Sequence, residues 1–178
     1  MTRTNRLFVG TAWLLRAAIL VCLFLLAVLG LAMGALTLAA AGWFVLPIPA
    51  SELHGLTVGQ IYAAATLVIG GGMICIALVG WIFFLTARII DIANTGDPFV
   101  RENADRLNLI ACILVAVQLV GLSVDLAMNM FPKTITENVS VGFDGVSATG
   151  ILAALLIFVL AQIFRHGSEM RSELQGMV

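Results

Sequence analysis

Ser51, Glu52 and His54 form a short stretch of the chain that sets a hydroxyl, a carboxylate and an imidazole side by side. On one surface those groups can run acyl transfer: the imidazole takes the proton of the serine and the carboxylate orients the imidazole. Here they are near neighbours in the turn-rich link "LPIPASELHGLTVGQ" (46–60). Adjacency in sequence seldom yields that geometry, so the stretch reads as a solvated loop.

The remaining ligand-type residues are scattered. His54 and His166 fall on opposite faces of the architecture derived below and cannot jointly hold a haem or a metal. Cys22, Cys75 and Cys112 each lie in a separate apolar run. They read as small buried residues rather than as a disulfide framework, and their spacing matches no metal site. Glycine motifs that cradle phosphate are absent. The sequence therefore offers no catalytic residue, no cofactor site and no metal site, and the chain reads as a non-enzyme.

Two polar residues interrupt apolar runs. Asp125, in "LSVDLAMNM", is the one acid inside such a run. Acids within a membrane are expensive and serve proton relays. Asp125 lies close to the end of its run, however, and the plainer reading is an interfacial carboxylate reaching headgroups or bonding Ser123 or Asn129. Gln118 falls near the middle of the same run and should find a partner on another helix, acting as structural glue.

The elements that must position these residues follow from composition. The chain has 178 residues, 61% hydrophobic and 11% charged, against about 25% charged in ordinary soluble domains. A globule of this size cannot hide that much apolar surface. Residues 17–51, 53–87, 107–124 and 145–164 carry no Asp, Glu, Lys or Arg. A helix needs about 20 apolar residues to cross about 30 Å of hydrocarbon. The expectation is an all-α integral membrane protein, a four-transmembrane-helix bundle with spans near 15–44, 61–87, 105–130 and 146–166, forming one membrane domain over 1–178. The first apolar run is far longer than a signal-peptide core of 7–15 residues, so an uncleaved helix is expected there.

Arginine placement sets the orientation. Arg3, Arg6, Arg16, Arg88, Arg101, Arg106, Arg165 and Arg171 fall on one side of four spans, and Lys133 on the other. Positive residues near helix ends stay cytoplasmic, which predicts N-in and C-in in a bacterial inner membrane. With a net charge of −1, nothing suggests direct nucleic-acid binding, for which a basic face is the electrostatic requirement.

On the inner side, "GDPFVRENADRLNLIACILV" (96–115) changes from charged to apolar without a break. Asp97 suits a helix N-cap and Pro98 the first helical position. The charged half then reads as a helix standing out of the membrane, with pairs Arg101–Asp105 and Glu102–Arg106 four residues apart. The tail "FRHGSEMRSELQGMV" repeats the design, with Met170 and Leu174 four apart among charges. On the outer side, 46–60 and 132–150 are turn-rich, and the alternation of Val139, Val141 and Phe143 suggests a small β ribbon.

Glycines supply packing candidates. Gly30 and Gly34 form a GxxxG pattern, and Gly70, Gly71 and Gly72 run together in the second span. Both sets are expected to let helices of the bundle approach closely.

The inner loop and tail resemble a known bacterial family. "DIANTGDPFVRENADRLNLIA" (91–111) and "FVLAQIFRHGSEMRSELQGMV" (158–178) look like the DUF2975 membrane proteins, and the four-span hydropathy extends the likeness over nearly the whole chain. Asp91, Asp97, Pro98, Phe99 and Asn103 match the family pattern, with no role attached. The resemblance implies a four-helix membrane protein of undefined biochemistry, whose relatives are often encoded beside a small helix-turn-helix regulator. It thereby implies a cytoplasmic partner that the membrane protein holds or modulates.

The expectation for function is partner docking on the cytoplasmic helix ends. Asp97, Phe99, Val100, Met170 and Leu174 would offer the apolar and capping surface, and Arg101, Glu102, Asp105 and Arg106 would set register. The alternatives are a small oligomeric transporter or channel drawing on Gln118, Asp125 and Asn129, and a structural subunit of a larger membrane complex. The partners expected are the lipid bilayer, a cytoplasmic helix-turn-helix regulator and further copies of the chain.

Overall fold

The structure is a computed structural model, and it describes residues 3–43, 57–95, 100–132 and 146–175. Four helices account for almost all of them: α1 (Arg3–Ala40), α2 (Val58–Thr95), α3 (Arg101–Met128) and α4 (Ala148–Gln175). All four are long and apolar enough to cross a membrane. At 38 residues each, α1 and α2 run for roughly 57 Å. That exceeds the roughly 30 Å of a bilayer core, so both project beyond it.

The helices alternate in direction. Cys22 sits against Gly80 and Met33 against Gly70, which runs α1 antiparallel to α2. Leu85 clusters with Ile110 and Ile113, and Gly71 faces Val124, which runs α2 antiparallel to α3. Asp105 meets Arg165 and Gln118 meets Ser147, which runs α3 antiparallel to α4. Arg16, Arg88, Arg106 and Arg165 are therefore gathered at one end of the assembly, and both terminal helix ends lie there too.

Packing follows chain order. α1 lies chiefly on α2, α2 on α3, and α3 on α4, with no extensive seam joining α1 to α4. The bundle is thus an open array with α3 covered on two sides. Two clusters hold it. Ala64, Val124 and Met128 meet Leu67 and Val68 at the end away from the arginines. Nearer the arginines, Leu85, Ile110 and Ile113 pack with Ile82, Val117 and Ile157, so that α2, α3 and α4 converge. Small residues dominate the buried positions, including Ala64, Ala104, Ala111, Ala154 and Ala161. Without a hydrophobic drive between helices in lipid, close backbone approach through such residues supplies the van der Waals contact that holds them.

The outward faces are apolar. On α1, Trp13, Phe24 and Leu31 are largely exposed, and on α4 so are Leu152, Leu156 and Ile163. Lipid is the solvent in which such a surface is stable.

Glycine roles divide. A side chain at Gly71 would collide with Val124, and one at Gly70 would rest against Met33. At Gly30, Gly34 and Gly72 a side chain would meet nothing. The expected use of the GxxxG pair and of Gly72 within the bundle is therefore corrected: α1 approaches α2 along the line of Cys22 and Met33, which leaves the other three glycines open.

Two further expectations change. α3 starts at Arg101, capped by the extended backbone of Val100 without a side-chain bond, rather than at an Asp97 cap. No strand occurs among the described residues. Positions 46–56 and 133–145, where the β ribbon was expected, lie outside them, as do Ser51, Glu52 and His54.

Candidate functional site at the arginine end

α3 begins with a charged turn whose side chains are mostly engaged. The Nη2 of Arg106 donates to Glu102 Oε2 at 3.2 Å, one helical turn back. Its Nη1 donates to Asn103 Oδ1 at 3.1 Å. Asn103 is 0% exposed, and its backbone N–H donates to the Val100 carbonyl at 3.0 Å. A buried amide needs partners, and Arg106 supplies one while holding Glu102 on the opposite prong. The Glu102–Arg106 pair is the one read from the four-residue spacing.

The second spacing pair does not form. Asp105 turns from Arg101 to α4, where Arg165 Nη2 donates to Asp105 Oδ1 at 3.1 Å. Arg101 is left exposed at the start of α3. On α2, the guanidinium of Arg88 lies over the Phe84 ring, 5.4 Å from its centroid, an attraction between a cation and the ring quadrupole. On α4, His166 faces Glu169 at 3.8 Å, and Ser168 Oγ donates to the Arg165 carbonyl at 2.7 Å.

Of the docking surface expected from the sequence, Val100, Met170 and the charged residues of α3 lie among the described residues. Val100 is half-buried at the cap of α3. Met170 is 59% exposed and belongs to a different feature, a groove of about 540 Å³ along α4 lined by Phe158, Val159, Ile163, His166 and Met170. The residues of α4 that pack on α3, Ala154, Ile157 and Ala161, lie on the opposite stripe. Asp97 and Phe99 lie outside the described residues, and so does the side chain of Leu174.

The polar residues of the α3 span are placed as follows. Gln118 does find a partner on another helix: Ser147 N donates to Gln118 Oε1 at 3.0 Å. Ser147 Oγ in turn accepts from Gly150 N at 3.4 Å, as a serine N-cap does. A Cβ at residue 150 would overlap the Gln118 amide, so Gly150 is what admits Gln118 to the first turn of α4. Ten residues, roughly 15 Å of rise, separate Gln118 from Met128 at the other end of α3. Asp125 is half-buried. Asn129 donates through Nδ2 to the Asp125 backbone carbonyl at 3.0 Å, and Ser123 Oγ turns back to Leu119 at 2.7 Å. The expected bonds from those residues to the Asp125 carboxylate are replaced by bonds to the helix backbone.

Sequence reasoning missed three of these features. Asn103 matched a family pattern, but nothing in its type announced full burial. Arg165 was assigned to orientation alone, and Gly150 carried no signal. "SATG" ahead of an apolar run is a legible N-cap for α4.

Cys22, Cys75 and Cys112 are free thiols. Among the described residues no group of three His, Cys, Asp or Glu side chains is placed to hold a metal ion.

The family model described as "Protein of unknown function (DUF2975)" matches residues 43–178. The match takes in α2, α3 and α4 and leaves α1 outside, so it is narrower than the hydropathy likeness suggested. No curated protein matches the chain, and no solved structure does.

Proposed function

The chain belongs to the DUF2975 family of proteins of unknown function, and on that premise we propose that it is a non-enzymatic, multi-pass protein of a bacterial inner membrane that docks a soluble partner on its cytoplasmic helix ends. Both termini are cytoplasmic in this reading. The concentration of arginine at one end of the assembly supports that orientation, because positive residues near helix ends resist translocation.

The observation that carries the proposal is the groove on α4. It begins among Phe158, Val159 and Ile163, passes the level of Arg165, and ends at the exposed Met170. A face made for lipid alone would stop at the arginines. A mainly apolar face of α4 that continues past Gln162 and His166 into water suits the apolar stripe of a partner helix. His166 lines it, and Glu169 and Arg171 on the same helix would set register. The family resemblance points to a helix-turn-helix transcription regulator as the partner, held at the membrane through protein contact and with no nucleic acid bound by this chain. Phe99 and Leu174 are further candidates for the same contact.

The transporter reading draws on Gln118, Asp125 and Asn129. It has less support, since the Gln118 amide caps α4 and Asn129 bonds the backbone of its own helix.

Met170→Asp tests the proposal. Isolated in detergent from its native host, the parent chain should carry a DNA-binding protein with it, and the variant should lose it while melting at the parent's temperature. Equal recovery of the partner from both would reject the groove as the docking site.

A further inference from the structure

We draw no further inference here: the strongest candidate, the apolar furrow of about 320 Å³ on the flank of the α3–α4 seam between Cys112 and Val115 of α3 and Ile151, Leu155 and Phe158 of α4, is an unpartnered apolar face, and nothing in the structure shows what covers it.

Discussion

Arg165 of α4 donates to Asp105 of α3 across 3.1 Å, joining helices whose bonding residues are sixty positions apart in sequence. The contact fixes the register of the antiparallel pair at its arginine end, as Gln118 and Ser147 fix it further along. Its side chains are 43% and 58% exposed, so water screens it. A double-mutant cycle with Asp105→Asn and Arg165→Gln should return a coupling below about 1 kcal/mol. In a chain lacking native cysteines, Asp105→Cys and Arg165→Cys should be joined by a bis-maleimide crosslinker about as long as the arginine side chain it replaces. Failure to crosslink would show a different register for α4.

Gly150 and Gln118 should behave as a unit. Gly150→Ala drives a methyl into the Gln118 amide and should cost about 1–3 kcal/mol of stability in detergent. Gln118→Ala removes the acceptor of Ser147 N–H and should cost about 1 kcal/mol. The double variant should cost less than the sum, because the collision disappears with the amide. Thermal unfolding of the three variants measures this, and strict additivity would contradict the contact.

The glycine triplet should divide in the same assay. Gly71→Ala meets Val124 and should destabilise by about 1–3 kcal/mol. Gly72→Ala meets nothing and should be neutral or stabilising by up to about 1 kcal/mol, since alanine is the better helix former. Equal costs at both positions would place α2 in another rotation against α3.

Orientation is open to direct labelling. In a chain without native cysteines, Met170→Cys should react with an impermeant maleimide only in inside-out vesicles. Trp43→Cys, at the opposite end of α1, should react only in right-side-out vesicles. The reverse pattern would put the α4 groove on the outside and remove it from the reach of any cytoplasmic regulator.

What the sequence determined by itself was the class of the molecule. Long charge-free runs dictate four apolar helices, because a buried backbone in lipid must satisfy its hydrogen bonds within each segment. Alternating spans joined by short links then bring the arginines to one end. The Glu102–Arg106 pair was legible too, since both residues sit on one helix and one turn apart. Relations between helices were not legible. Spacing offered Asp105 to Arg101, and only the α3–α4 seam decided that Arg165 takes it. Composition offered five glycines for packing, and the rotation of each helix about its own axis decided that Gly71 is used closely while Gly30, Gly34 and Gly72 face open space. The physical reason is common to both. Hydropathy fixes a helix along the membrane normal but barely constrains its turn about that axis when every face is apolar, so steric fit between small side chains makes the choice.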